Sequence, residues 1–124
     1  MIRIGICDDE KIILEMLGKI ISTCLEELGV EAELALFHNV RELLEAGENV
    51  DILFLDIEMP GINGISFLKK VRDKIECPVF ITSHSQYALD AFGLDAADYI
   101  IKPITQDKIA ISLSKIKEKL DAKY

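Results

Sequence analysis

The segment from Asp51 to Asp56 (DILFLD) constrains the fold more than any other part of the chain. Its apolar residues stand in one run and lack the alternation of a strand that has one face in water. The turn-forming pair Pro60 and Gly61 follows shortly after it. Such a run is typical of a central parallel strand that is covered on both faces. The sequence therefore predicts a buried strand that delivers the Asp56 carboxylate to a loop.

Strand-like and helix-like segments alternate along the whole chain. The predicted strands are Ile2 to Cys7, Glu31 to Phe37, Asp51 to Leu55, Pro78 to Thr82 and Asp98 to Ile101. The predicted helices are Glu10 to about Leu28, a short segment after the N-cap Asn39, about Ile65 to Lys74, Tyr87 to Phe92, and Thr105 to about Leu120. This alternation predicts an α/β fold, a doubly wound three-layer sandwich with a parallel sheet and helices on both faces.

Polar residues follow most of these strands. Asp8 and Asp9 follow the first strand, Asp56 the third, Thr82 ends the fourth, and Lys102 follows the fifth. In doubly wound sheets, ligands bind outside the carboxyl ends of the strands. In the flavodoxin-like order 2-1-3-4-5, the strand of Asp56 lies between the strand of Asp8 and the strand of Thr82. The sequence therefore predicts that these side chains share one site.

The residue types at this predicted site favour phosphoryl chemistry. Carboxylates in one crevice repel each other, so either some of them stay protonated or a cation neutralises them. A ligand set made of oxygen atoms alone favours Mg²⁺, or the similarly hard Mn²⁺, over zinc. A carboxylate can accept a phosphoryl group as an acyl phosphate. The charge on that group would be neutralised by the metal, by the Lys102 ammonium, and by the Thr82 hydroxyl or a loop N–H.

The residues of this site, at these spacings, resemble the receiver domain of two-component response regulators over essentially all 124 residues. The resemblance rests on Asp8-Asp9, Asp56, the segment Glu58 to Gly64 (EMPGING), Thr82 and Lys102-Pro103. The segment Ser85 to Phe92 (SQYALDAF), with Ala97 to Ile100 (ADYI), is further similar to receivers that precede a LytTR-type DNA-binding domain. The resemblance implies a bacterial signalling switch that forms a single domain over residues 1–124, with any output domain absent from this chain.

The resemblance also implies a role for each residue near the metal. Asp56 is the phosphoacceptor and a metal ligand, Asp9 is a direct ligand, and Asp8 is a ligand mainly through water. The backbone carbonyl of Glu58 is a further ligand. The side chains of Glu58 and His84 are either groups that tune the attack of water on the acyl phosphate or ordinary polar loop residues.

A second set of roles concerns the phosphoryl group and the switch. By resemblance, Thr82 and Lys102 bind the phosphoryl group, and Tyr99 changes position together with Thr82. The peptide bond between Lys102 and Pro103 is expected to be cis. The implied partners are a sensor histidine kinase and a second copy of the domain, bound after phosphorylation through the fourth predicted helix, the fifth strand and the last helix. The resemblance implies self-phosphorylation and autodephosphorylation, not enzymatic turnover.

Charge and composition exclude several other classes of partner. The net charge is −8, from 22 acidic and 14 basic residues, which argues against direct nucleic-acid contact by this domain. No apolar run is long enough to span a membrane, and the N-terminus lacks a signal-peptide pattern. We therefore expect a cytoplasmic protein without membrane contact. Cys7, Cys24 and Cys77 have neither paired nor metal-binding spacing, which predicts reduced core residues.

On the residues alone, the alternatives are one enzyme and two kinds of binding module. A small phosphohydrolase with Asp56 as its nucleophile would need, in the haloacid dehalogenase pattern, a second Asp where this chain has Glu58. An unphosphorylated pseudo-receiver interaction module is disfavoured by the intact acids, Thr82 and Lys102. A flavodoxin-like nucleotide binder is disfavoured because no Gly-rich phosphate loop follows the first strand.

Overall fold

The computed structural model describes residues 2–46, 50–60, 64–84 and 96–123. Its elements are β1 (Ile2–Cys7), α1 (Lys11–Leu28), β2 (Ala32–Phe37), α2 (Val40–Ala46), β3 (Ile52–Asp56), α3 (Gly64–Lys74), β4 (Cys77–Thr82), β5 (Asp98–Ile101) and α4 (Gln106–Lys123). The predicted helix from Tyr87 to Phe92 lies outside the described residues. Every other predicted strand and helix is present, with ends that differ by at most three residues.

The strands form one parallel sheet in the order β2-β1-β3-β4-β5. This confirms the predicted doubly wound, flavodoxin-like fold. β3 lies at the centre of the sheet, and all five of its residues are buried. A central strand of this kind has no face in water, which explains its uninterrupted apolar run.

Alternate residues of β3 enter two separate cores, one on each face of the sheet. Ile52 and Phe54 belong to a cluster that contains Leu17 of α1 and Ile109 of α4. Leu53 and Leu55 belong to the other cluster, which also holds Leu43 of α2 and Val71 of α3. The helices therefore hold β3 from both sides, and Asp56 is attached to the most enclosed strand of the sheet.

The core-facing side of α1 differs from the predicted one. The predicted face comprised Ile13, Leu17, Ile20, Cys24 and Leu28, whereas the buried residues are Leu14, Leu17, Ile21, Cys24 and Leu25. Ile13, Ile20 and Leu28 are only partly buried against the same cluster. The apolar face of α1 is wide because the helix packs against both the sheet and α4. The periodicity of the sequence therefore places the centre of the buried face one residue too early. The helix ends as predicted at Gly29, which has φ 68° and donates its N–H to the carbonyl of Glu26.

The three cysteines are core residues, as the sequence predicts. Cys7, Cys24 and Cys77 are all buried and carry no disulfide. Among the helices that the structure describes, none combines the length and apolarity needed to cross a bilayer.

Replacing Gly5 by Ala should destabilise the domain by about 1–3 kcal/mol, the usual range for overpacking a filled core. Gly5 lies in β1, where an added Cβ would stand 3.0 Å from side-chain atoms of Phe37 and Val50 and 3.2 Å from Leu53. Urea unfolding of the purified domain measures this loss.

The matched control is Gly18→Ala. Gly18 lies inside α1, and an added Cβ would meet nothing within 4 Å. Alanine is the better helix former, so this variant should gain about 0.5–1 kcal/mol. Equal effects of the two substitutions would contradict the close packing around Gly5.

Candidate functional site

The carboxyl edge of the sheet collects the buried polar side chains of the domain. Among the residues that the structure describes, the buried polar or charged ones are Asp8 (1% exposed), Asp56 (5%), Thr82 (1%) and Ser112 (1%). The first three follow or end β1, β3 and β4, which are neighbours in the sheet. Burying charged groups is costly unless they are paired, so this edge has the character of a functional site.

Three acids meet at this edge, as the sequence predicts. One carboxylate oxygen from each of Asp8, Asp9 and Asp56 lies within 4.8 Å of the others. Asp8 and Asp56 are buried, whereas Asp9 is exposed. Oδ1 of Asp8 accepts the N–H of Glu10 at 2.9 Å.

The charge state of Asp8 reflects this crowding. Burial, and after it the neighbouring Asp56 carboxylate, raises the pKa of Asp8 to about 7 although the Glu10 N–H opposes the shift. A divalent cation would relieve the same repulsion, and a cluster of carboxylate oxygens is what hard cations such as Mg²⁺ bind. The three acids therefore fit a magnesium site, with the Glu58 carbonyl as a further ligand that stays a prediction.

Asp56 is held between two donors. Its Oδ1 accepts the N–H of Glu58 at 2.8 Å, and its Oδ2 accepts Nζ of Lys102 at 3.2 Å. The peptide bond between Lys102 and Pro103 is cis, the geometry that the resemblance implies. Burial opposes the charged form of Lys102, but the hydrogen bond with Asp56 and the charges of Asp56 and Glu58 raise its pKa. Lys102 is thus a positively charged ammonium that contacts the Asp56 carboxylate.

The Glu58 side chain binds the donors at the end of β4. Its Oε1 accepts the Thr82 hydroxyl at 2.9 Å, the Ser83 N–H at 2.8 Å and the Ser83 hydroxyl at 2.7 Å. Its Oε2 lies 3.4 Å from Nζ of Lys102. The Ser83 hydroxyl, then the Ser83 N–H and the Thr82 hydroxyl, lower the pKa of Glu58 to about 2 against the effect of burial. Glu58 is therefore a carboxylate over the whole physiological range.

His84 and Tyr99 lie at the margin of this group. The backbone N–H of His84 donates to Oγ1 of Thr82 at 3.1 Å, and its Nε2 lies 3.6 Å from Oε1 of Glu58. Tyr99 is a partly buried residue of β5, beside Phe80 of β4 in the sheet. A switching role for Tyr99 and a tuning role for His84 stay predictions.

Sequence reasoning missed two residues of this site. Ser83, the residue after Thr82, provides two of the hydrogen bonds to Glu58. Lys108, in the first turn of α4, donates from Nζ to the carbonyls of Ile101 at 2.7 Å and Pro103 at 2.9 Å. It thereby fixes the backbone on both sides of Lys102. Its spacing of six residues after Lys102 gave no recognisable signal.

The comparison with known families decides which class of protein this is. The family model described as the response regulator receiver domain matches residues 4–114. The chain belongs to the response regulator receiver domain family. Receiver domains of this family are signalling switches that partner with histidine kinases.

Relatives of this receiver domain include regulators of the LytTR type. It is 40% identical over 97 residues to the transcriptional regulatory protein LytR of Staphylococcus aureus, a match covering 75% of this chain and 39% of LytR. It is 33% identical over 123 residues to the sensory transduction protein LytT of Bacillus subtilis, covering 95% of this chain and 49% of LytT. The chain spans between about a third and a half of the relatives it matches. The predicted resemblance to LytTR-type receivers is confirmed.

Solved receiver structures share the fold. The response regulatory domain of MrkE from Klebsiella pneumoniae is 28% identical with a TM-score of 0.82, and the match covers 98% of this receiver and 99% of that chain. The response regulator TrrA from Thermotoga maritima, solved in complex with Mg²⁺ and BeF, is 32% identical with a TM-score of 0.72 over 93% of this receiver and 98% of that chain.

Proposed function

We propose that this receiver domain is switched by transfer of a phosphoryl group from a sensor histidine kinase to Asp56, with Mg²⁺ or Mn²⁺ as cofactor. The observation that carries this proposal is the placement of Asp56. It is buried at the end of the central strand, with Asp8 and Asp9 on one side and the Lys102 ammonium 3.2 Å away on the other. A nucleophile flanked by a cation site and a fixed cation suits phosphoryl transfer, which depends mainly on positioning and charge neutralisation.

The transfer step is a displacement at phosphorus. One carboxylate oxygen of Asp56 attacks the phosphorus of a phosphohistidine, a P–O bond forms, and the P–N bond breaks. The electron pair of that bond stays on the leaving imidazole nitrogen. Bound Mg²⁺, held by Asp8, Asp9 and Asp56 with the Glu58 carbonyl, would neutralise phosphoryl oxygens. Lys102, the Thr82 hydroxyl and the Ser83 N–H are the chain's own donors for the remaining charge.

The charge state of Glu58 argues against the phosphohydrolase alternative. An acid that protonates a leaving group must carry a proton at working pH. Hydrogen bonds from Ser83 and Thr82 hold the pKa of Glu58 at about 2, so its side chain has no proton to donate. Slow hydrolysis of the acyl phosphate by water fits this site better than turnover of a phosphomonoester.

Incubation with acetyl phosphate tests the proposed function. In Mg²⁺ the intact mass of the domain should rise by one phosphoryl group, and EDTA should prevent this. A catalytic amount of the domain should not hydrolyse a phosphomonoester such as p-nitrophenyl phosphate. Rapid multiple turnover of that substrate would contradict the switch and favour the phosphohydrolase.

The output surface that we propose comprises β5 and α4, together with the predicted helix at Tyr87 to Phe92. On the described part, Ile111 is 58% exposed and lines a groove with Asp98–Ile101 of β5. Lys115 lies 3.8 Å from Asp98 in the same groove. A groove with an exposed apolar centre and both signs of charge suits a second copy related by twofold symmetry. Dimerisation would then control a DNA-binding output domain, with residues 1–124 as the receiver.

Replacing Ile111 by Asp should weaken dimerisation that Mg²⁺ and BeF₃⁻ induce, because the interface would bury an unpaired carboxylate. We expect the dimer dissociation constant to rise at least about tenfold, which is about 1.4 kcal/mol. Sedimentation velocity measures it. Ile12→Asp is the control, since Ile12 is a 78% exposed isoleucine on α1, outside this groove. A wild-type mass that is the same with and without BeF₃⁻ would refute the dimer proposal.

A further inference from the structure

The donors that a phosphoryl group on Asp56 would need are already engaged. The Thr82 hydroxyl and the Ser83 N–H both donate to Oε1 of Glu58, at 2.9 and 2.8 Å. Each of these groups has a single hydrogen to donate. The acceptor side of the Thr82 hydroxyl is also used, because it receives the N–H of His84 at 3.1 Å. Neither Thr82 nor Ser83 can therefore bind a phosphoryl oxygen while Glu58 keeps this position.

The Lys102 ammonium contacts both Asp56 and Glu58. Its Nζ lies 3.2 Å from Oδ2 of Asp56 and 3.4 Å from Oε2 of Glu58. Glu58 thus contacts a hydroxyl, a backbone N–H and an ammonium, which are the kinds of donor that bind phosphoryl oxygens in proteins. The Glu58 carboxylate therefore offers these donors two acceptor oxygens and a negative charge, as a phosphoryl group would.

We propose that the Glu58 carboxylate is an internal occupant of the phosphoryl-binding donors, which an incoming phosphoryl group must displace. The proposal rests on the proposed function of Asp56. It makes Glu58 a residue that sets the affinity of the site for phosphoryl groups, in addition to any influence on later hydrolysis. In the resting domain, Glu58 stabilises the end of β4 in the arrangement seen here.

The Glu58 side chain can move out of the phosphoryl-binding site towards solvent. The Glu58 side chain is 25% exposed, so its carboxylate can turn towards water without burying a charge. Nε2 of His84 lies 3.6 Å from Oε1 of Glu58, and the His84 side chain is 55% exposed. Rotation of Glu58 away from Ser83 would leave it beside water and His84, and the donors of Thr82 and Ser83 would become available together.

Binding of BeF₃⁻ tests this displacement without the complication of hydrolysis. The anion mimics a phosphoryl group on an aspartate, and ¹⁹F NMR of the domain in saturating Mg²⁺ reports its affinity. We expect Glu58→Ala to bind BeF₃⁻ about tenfold more tightly than the wild type, which is about 1.4 kcal/mol. Glu58→Gln keeps an acceptor oxygen but loses the charge, so its affinity should lie between the two.

Control variants separate the contact from charge alone. Glu45→Ala removes an exposed carboxylate on α2 that is paired with Arg41, and it should bind BeF₃⁻ like the wild type. In the metal-free domain, the ¹⁵N–¹H resonance of Ser83 should move strongly in Glu58→Ala and little in Glu45→Ala. An unmoved Ser83 resonance in Glu58→Ala would show that the contact does not form in solution, and the proposal would fail whatever Asp56 does.

The remaining outcomes distinguish this proposal from the proposed function. If the wild type binds BeF₃⁻ and Glu58→Ala binds it equally or more weakly, Glu58 is not a competitor, although the phosphoacceptor role of Asp56 survives. If Glu58→Ala binds BeF₃⁻ and the wild type does not, the displacement is confirmed in a stronger form. If neither protein binds the anion, both proposals fall.

Discussion

Asp56→Asn should reduce phosphorylation by acetyl phosphate and Mg²⁺ to below about a thousandth of the wild-type rate, on the scale seen when an enzyme loses its nucleophile. The side-chain amide has almost the same shape as the carboxylate but is not a nucleophile for phosphorus. Asp56 is the buried acid at the end of β3, and Lys102 is directed at it from 3.2 Å. Intact-mass spectrometry over a time course measures the rate.

The control for this prediction is Asp73→Asn, which changes an exposed aspartate on α3. It should accept the phosphoryl group at the wild-type rate. A second control is the mass of Asp56→Asn after borohydride reduction, which converts an acyl phosphate to an alcohol and should leave this variant unchanged. Modification of Asp56→Asn at the wild-type rate would show that another residue is the phosphoacceptor.

Asp8→Asn should stabilise the metal-free domain at pH 8 by up to about 4 kcal/mol, because each pKa unit by which folding raises the pKa of Asp8 corresponds to about 1.4 kcal/mol. Burial beside Asp56 raises the pKa of Asp8 from its ordinary value of 3.8 to about 7 in the folded state. The folded wild type therefore binds a proton more tightly than the unfolded chain. Its free energy of unfolding should fall as the pH rises from about 4 to about 7, and Asn removes this loss.

Urea unfolding in EDTA at several pH values checks the sign. The advantage of Asp8→Asn should be large at pH 8 and shrink as the pH falls towards 3.8, the ordinary pKa of Asp8, below which the acid is mainly protonated in both states of the wild type. Glu58 contributes the opposite slope, but only below about pH 4.5, its ordinary pKa, because its pKa in the folded state is lowered to about 2. An advantage that is the same at pH 5 and pH 8 would contradict the raised pKa.

Magnesium should reduce the difference in stability between the wild type and Asp8→Asn at pH 8. A cation that binds only the folded state stabilises it in proportion to the logarithm of its concentration over the dissociation constant. The wild type should gain stability from Mg²⁺ at pH 8, and Asp8→Asn should gain less because one carboxylate of the cluster is missing. Equal gains would exclude Asp8 from the metal site.

The sequence predicts the sheet and the position of its acids well, for a physical reason. The run Ile52–Asp56 has no polar residue before its last position because both faces of β3 are covered. Parallel strands bring their carboxyl ends to one edge, so the residues after β1, β3 and β4 meet without any knowledge of side-chain conformation. The fold and the meeting of Asp8, Asp9 and Asp56 follow from these two facts, whereas the family is recognised from its motif residues.

The sequence does not predict which hydrogen bonds Glu58 makes. Those bonds depend on one side-chain rotamer and on donors at and just after the end of β4, 24 and 25 positions later in the chain. The burial of Leu14 in place of Ile13 escaped prediction for a related reason, since adjacent apolar residues give the same periodic signal. The protonation of Asp8 likewise depends on three-dimensional crowding.

The contact of Lys108 with the carbonyls of Ile101 and Pro103 has a thermodynamic consequence. It joins the first turn of α4 to the backbone that carries Lys102. The position of α4 and the direction of the Lys102 ammonium are therefore coupled. Coupling between two binding equilibria is reciprocal. Any partner that binds α4 more tightly in the phosphorylated domain must, by the same factor, increase the affinity of the site for its phosphoryl group. The output partner would thereby act as an effector of the switch that controls it.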